Sequence, residues 1–323
     1  MNIQRLIRFV EDGIATLMDF RSHTPTSRET ALGQRLAADL RALAQSNQTG
    51  AASEFWQATC RALASLATEN DPLFFMRWEP VRATMVHGAT PSIIASWWSL
   101  RCSRDWRAVW APALRHKQYG HPPPFPPMMA TNAIAIEHAT HLFRFHQATG
   151  ESFQSADCIV EFGGGYGSMC RLIHAMGFRG SYVIFDLPHV LALQRYYLAL
   201  HGIEAEPDAA ASATGVRLLA DLDHVARLID DRSSANFSAI STWALSEMPL
   251  SLRTGIERIL QRPCFREILL SYQARFEGND NRDYFTAFAA RTSGSFEWTD
   301  IPIGPASSSA SPSDSFYLFG MRR

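Results

Sequence analysis

A five-residue apolar segment, Cys158-Ile-Val-Glu-Phe162, runs straight into Gly163-Gly164-Gly165-Tyr166-Gly167 and then into a helical pattern. A strand that breaks into glycines and restarts as a helix leaves few folds open. Glycines at such a turn let the backbone reverse tightly and let a ligand approach with no side chain in the way. An acidic residue, Asp186, closes the next apolar segment roughly 20 residues further on, where a carboxylate can accept both hydroxyls of a ribose. The spacing departs from the dinucleotide pattern GxGxxG, which would put its third small residue at Ser168. Glycine falls at 167 instead, and no Walker lysine follows.

Downstream of this turn strands and helices alternate. Residues 158–162, 181–186, 216–220, 237–242 and 267–272 read as strands. Residues 168–176, 188–200, 222–229, 250–260 and 283–290 read as the helices between and after them, with Pro188 at an early helical position where its missing N–H costs nothing. Two closing strands, 295–298 and 316–321, flank a Ser/Pro-rich loop at 305–315. The pattern predicts an α/β fold, a Rossmann-like doubly wound, mostly parallel seven-stranded sheet with a C-terminal antiparallel hairpin.

The upstream region reads as all-helical. Helical spacing runs over residues 3–18, a leucine stripe over 30–45, and Ser53 is a helix cap for 54–66. Trp78, Trp97, Trp98, Trp106 and Trp110 crowd residues 71–115, as core or interface rings or as the lining of a substrate pocket. The proline run at 118–127 reads as a semi-rigid linker, and 131–147 as a helix stopped at Gly150. The expected division is 1–127, a helical region offering a substrate, partner or homodimer surface, and 128–323, the α/β domain.

Charge narrows the function. Thirty basic and thirty-one acidic side chains give a net charge of −1. Such a balance exerts no general pull on nucleic acid or an anionic membrane, so neither is an expected partner. Five scattered cysteines without a CxxC pair fit neither a disulfide scaffold nor a zinc knuckle, and suit a reducing cytoplasm. Arg5, Arg8, Glu11 and Asp12 interrupt any signal-peptide core, and no uncharged apolar run approaches the roughly 18 residues of a bilayer span.

An acid followed by GxGxG, with Asp186 after the second strand, resembles motif I of the class I S-adenosylmethionine-dependent methyltransferases. The string Phe185-Asp-Leu-Pro-His-Val-Leu-Ala-Leu-Gln-Arg-Tyr-Tyr-Leu198, with Glu161–Gly167 and Ala244-Leu-Ser-Glu-Met-Pro249, is similar to a bacterial sugar O-methyltransferase family. Weaker echoes are Ser271-Tyr-Gln273, Asn281 with Tyr284, and Tyr317-Leu-Phe-Gly320. The resemblance covers residues 157–323 well and the first seventy hardly at all. It implies S-adenosylmethionine as cofactor, with Glu161, Gly163, Gly165 and Gly167 at its amino-acid end, Asp186 on its ribose, Leu187 on its adenine and Asp221 near the adenine amino group. Asp221 reads equally well as a helix cap.

Methylating a hydroxyl needs an aligned nucleophile, a dry site and a base to take the proton. Ligands of open α/β sheets lie beyond the carboxyl ends of the strands. Glu247, after the fourth strand, is the expected base or substrate clamp, with a helix-start charge as its plainer reading. His138 and His141, three apart on one helix face, are further base candidates. Ser246, Tyr272 and Gln273 are expected substrate contacts, and no metal site is expected because ligands do not converge. The leading expectation is methylation of a hydroxyl on a sugar or glycosylated metabolite. An O- or N-methyltransferase of a non-sugar natural product and a non-catalytic cofactor-binding scaffold are the rivals.

Overall fold

The computed structural model describes residues 24–46, 52–66, 70–207, 215–304 and 314–323. The helix expected over 3–18 and most of the 305–315 loop lie outside these residues. The strands are β1 (Cys158–Phe162), β2 (Ser181–Phe185), β3 (Ala205–Pro207), β4 (Gly215–Leu219), β5 (Phe237–Thr242), β6 (Phe265–Gln273), β7 (Arg275–Phe276), β8 (Asn279–Asp280), β9 (Phe296–Pro302) and β10 (Ser315–Arg322). Eight of them form one sheet in the order β3-β4-β2-β1-β5-β6-β10-β9, and β7 pairs with β8 apart from it. From β3 to β6 the neighbours run parallel. β10 is antiparallel to both β6 and β9.

The expected seven strands are therefore eight. The addition is β3, three residues ending in a proline, too short to show a two-residue period. Every residue of β1, β2 and β5 is buried, as strands covered by helices on both faces must be. Alternate residues separate the two cores. Ile159, Tyr182, Ile184 and Ile240 join the cluster that takes in Leu193 and Leu198 of the Pro188–Leu200 helix. Val160, Phe162, Val183 and Ala239 join the one that takes in Val225, Ile256 and Phe288 on the opposite side.

The upstream helices belong to the first of these cores. Leu36 and Leu40 of Ser27–Ser46, Phe75 and Trp78 share it with Ile159 and Tyr182 of the sheet. The 118–127 stretch, expected as a linker, is packed instead. Phe125 is fully buried with its ring centroid 6.2 Å from that of Trp97, and the Gly120 carbonyl accepts the Met76 N–H at 3.2 Å. Its prolines lack backbone N–H donors, so few groups need partners when its apolar rings lie against a core. Trp78, Trp106 and Trp110 are buried in this core while Trp98 is 61% exposed. Among the described residues, no helix is long and apolar enough to cross a membrane.

Candidate active site

β1 lies at the centre of the sheet, where the chain first winds outward through β2 and β4 and then crosses to β5. The crevice at the carboxyl ends of the strands opens at such a reversal. Here it is a cavity of about 1080 Å³ lined by the glycine loop, the ends of β2 and β5, and residues from the upstream helices.

Gly163 and Gly165 have different reasons to be glycine. At Gly163 (φ +79°) an added Cβ would sit 2.0 Å from the Ala244 Cβ, so the loop is pressed against the turn after β5. At Gly165 (φ +53°) an added Cβ meets nothing within 4 Å, because this backbone faces the cavity. Gly167 opens the Ser168–Ala175 helix against Leu198 and does not line the cavity. Glu161 lies beneath the loop and not on the cavity wall. Its Oε2 accepts the Tyr182 hydroxyl at 2.8 Å, and burial pushes its carboxyl up to about 8.

Asp186 ties loop and strand together. Its Oδ2 accepts the Gly164 N–H at 2.9 Å and the Gln194 side-chain amide at 2.7 Å, and its Oδ1 accepts the Leu187 N–H at 2.8 Å. Burial outweighs these three donors and raises the carboxyl to about 7. Asp186, Leu187 and Asp221 all line the cavity. Asp221 also caps the Leu222–Asp230 helix, accepting the Asp223 N–H at 3.0 Å.

Glu247 lines the same cavity from the short Ala244–Glu247 helix. The Trp56 indole N–H donates to its Oε2 at 2.8 Å and the Gln273 amide to its Oε1 at 3.2 Å. Burial still raises its carboxyl above the usual range. The helix starts from a strained residue, Trp243, at φ +69° and ψ −42°. That strain is held in place by the Trp243 N–H donating to the Ser271 carbonyl at 2.8 Å and by the Ser246 hydroxyl donating to the Trp243 carbonyl at 2.5 Å. Ser246 is thus a support of the turn, fully buried and off the cavity. Tyr272 is off it too. Neighbouring strand residues point to opposite faces, so Gln273 reaches the cavity while Tyr272 packs on Phe285 and accepts from Arg282 at 2.5 Å.

The histidines divide similarly. His138 lines the cavity, but burial first, and then the His141 charge, drive its pKa down to about 3. His141 lies off the cavity, with Nδ1 2.8 Å from the Tyr317 hydroxyl, and burial lowers its pKa. Neither imidazole is a strong base at neutral pH. A pair not expected from the sequence lies beside them: His87 Nε2 is 2.7 Å from Glu137 Oε2, and both residues line the cavity. Burial raises the Glu137 carboxyl, but the His87 hydrogen bond together with the nearby His141, His87 and His138 imidazoles overrides it and holds the group low. His87 sits in an irregular stretch with no periodic signal, so only the packing brings it to Glu137. The two tryptophans on the cavity wall, Trp56 and Trp243, likewise fall outside the tryptophan-dense segment. Among the described residues, no group of three or more His, Cys, Asp or Glu side chains could hold a metal ion.

No protein-family model and no curated protein matches the sequence. Solved structures do show a distant likeness. The methyltransferase domain of bacterial CtHen1 aligns at a TM-score of 0.40 with 13% identity, covering 57% of this chain and 97% of that one. The 16S rRNA methylase ArmA aligns at 0.35 with 11% identity, covering 58% and 86%. The glycopeptide N-methyltransferase MtfA, solved with S-adenosyl-L-methionine, aligns at 0.36 with 13% identity, covering 56% and 87%.

Proposed function

We propose that this chain is an S-adenosylmethionine-dependent methyltransferase acting on a hydroxyl of a small-molecule acceptor, a sugar or glycosylated metabolite. The observation that carries the reading is one cavity bounded by the open backbone face of Gly165, by Asp186, and by a carboxylate, Glu247, that hydrogen bonds hold in place. Its volume of about 1080 Å³ slightly exceeds the roughly 300–1,000 Å³ usual for one small ligand, which leaves room for cofactor and acceptor together.

The residues present suit the cofactor. Gly165 leaves space where a methionine moiety would lie, Asp186 presents a carboxylate at the end of β2 for the ribose hydroxyls, and Leu187 gives the adenine an apolar face. When bound, S-adenosylmethionine supplies an electrophilic methyl group on a sulfonium centre. Glu247, raised above the usual carboxylate range, is placed to take the proton from the acceptor hydroxyl, and its two donors fix the direction in which it does so. Trp56, Trp243 and Leu252 give that side of the cavity an apolar wall. The apolar wall of Met85, Val86 and Met248 also supports the second reading, an acceptor that is a non-sugar natural product.

Calorimetry with S-adenosylmethionine, followed by transfer of a labelled methyl group to a panel of glycosides and phenols, tests the reading. Glu247→Gln should leave cofactor affinity within about twofold and lower kcat by roughly 10²–10⁴-fold, the range for a lost general base. Turnover of that variant within about threefold of wild type across pH 6–9 would remove Glu247 from the role, and the His87–Glu137 pair would be the next to substitute.

A further inference from the structure

Among the described residues, the cavity wall contains four carboxyl side chains, Glu137, Asp186, Asp221 and Glu247, and not one lysine or arginine. Its only other titratable groups besides Tyr166 are His87, which is spent on Glu137, and His138, which burial keeps neutral. Two charged groups among the described residues act from behind the wall without entering it. Glu277 bears on Glu247 with the same sign, and the Arg171 guanidinium, itself 3% exposed and donating to the Ala113 carbonyl at 2.8 Å, stops short of the cavity.

The lining also shows what the acceptor side can recognise. Trp56 and Gln273 each give one hydrogen to Glu247, one on each oxygen, so both oxygens keep lone pairs for a donor group on the acceptor. Indole faces at Trp56 and Trp243 suit a flat apolar or cationic group. A phosphate or carboxylate would meet a wall of carboxyl groups with no lysine or arginine among the described residues to neutralise it, a juxtaposition that discriminates against the wrong partner.

Resting on the methyltransferase reading above, we infer that the acceptor bears no phosphate or carboxylate and meets Glu247 through an O–H or N–H donor on an uncharged or amine-bearing molecule. A sugar acceptor therefore reaches this site as a glycoside and not as a nucleoside diphosphate sugar. The reaction class that must supply it is glycosyl transfer, which has already exchanged the diphosphate for a neutral aglycone.

Two measurements test this. In the first, protein with methyl-labelled S-adenosylmethionine is offered matched pairs, a methyl hexoside against the corresponding uridine diphosphohexose, and an aminocatechol against its monophosphate ester with one hydroxyl left free. The phosphate-free member should be favoured in kcat/KM by at least about tenfold. Ala83→Lys, at an exposed position on the cavity rim, should narrow that ratio. Equal or faster transfer to the phosphate-bearing member overturns the inference and leaves the methyltransferase reading intact. The second measurement needs no turnover. Iodide and caesium quenching of tryptophan fluorescence is compared between wild type and Trp56→Phe or Trp243→Phe, which isolates the cavity indoles. With each constant divided by that for free N-acetyltryptophanamide, caesium should quench them at least about threefold better than iodide, given the sign of the lining charge. Normalised iodide quenching that equals or exceeds the normalised caesium value refutes the inference. Failure of the protein to bind S-adenosylmethionine at all would strike the underlying reading instead.

Discussion

Glu161 is a carboxyl buried under the loop that a charged cofactor would occupy, and its replacement by glutamine has a calculable consequence. Burial, with a smaller push from Asp186, lifts its carboxyl from 4.5 to about 8, against the Tyr182 hydrogen bond that favours the ion. At about 1.36 kcal/mol per pH unit between those values, ionising it costs the folded state roughly 4–5 kcal/mol. The sign follows from proton binding. Between about pH 4.5 and 8 the folded chain keeps a proton that the unfolded chain has released. The stabilisation is thus complete below about pH 4.5 and is lost as pH rises through about 8. Asp186, raised from 3.8 to about 7, acts in the same direction over a slightly lower window. Glu161→Gln keeps the shape of the neutral acid, and its amide oxygen still accepts the Tyr182 hydroxyl. Urea unfolding of the cofactor-free protein should therefore give wild type and variant stabilities within about 1 kcal/mol near pH 5. Near pH 9 the variant should be more stable by roughly 3–5 kcal/mol. Parallel curves for the two proteins from about pH 5 to 9 would show that Glu161 titrates in the ordinary carboxylate range, and that the floor of the loop is wetter than its burial implies.

Gly163→Ala should lower the unfolding free energy by at least about 2 kcal/mol, since its Cβ would meet the Ala244 Cβ and the φ is left-handed. A urea midpoint unchanged from wild type would contradict that packing. Gly165→Val should cost only the roughly 1–2 kcal/mol of its backbone conformation, because its side chain has open space, yet abolish S-adenosylmethionine binding in calorimetry. Asp186→Ala should weaken that binding roughly 10- to 100-fold, the loss expected for a charge-assisted contact. Because it also frees the Gly164 N–H, amide exchange at the loop should accelerate in the cofactor-free protein, and unchanged exchange would show that the strap holds nothing.

Much of the sheet domain could be read from the chain because its signals are local. Phe237–Thr242, Pro188–Leu200 and Leu250–Leu260 begin and end where apolar period, proline and glycine indicate. The glycine loop and Asp186 on the cavity wall were legible for the same reason: both lie at fixed distances from strand ends. The opposite wall was not. Tyr272 and Gln273 are adjacent in sequence, and only the pleat decides that one enters a core and the other the cavity. Ser246 and Glu247 divide between turn support and cavity wall because Trp243 is forced to positive φ, which no residue pattern announces for a tryptophan. His87 meets Glu137 across fifty residues of helix and packed loop, a contact with no periodic trace.

The division between the two sides has a physical origin. A repeated strand–helix unit can place glycines and a carboxylate at its own strand ends, and those suffice for a nucleoside-like ligand. It cannot close the space above them. Closure comes from Trp56 on the Glu54–Leu66 helix, from residues 83–87, and from Glu137 and His138 on the Ala133–Thr149 helix, all anchored in the core that the sheet shares with the upstream region. Trp56 joins the two parts chemically as well as sterically. Its indole N–H spans 191 residues to Glu247 and, with Gln273, stabilises the ionised carboxylate against a burial cost that still prevails. Losing that donor would leave Glu247 more basic but free to turn. Trp56→Phe should therefore move the pH at which turnover rises upward while lowering its plateau, a pair of changes that loss of packing alone would not produce.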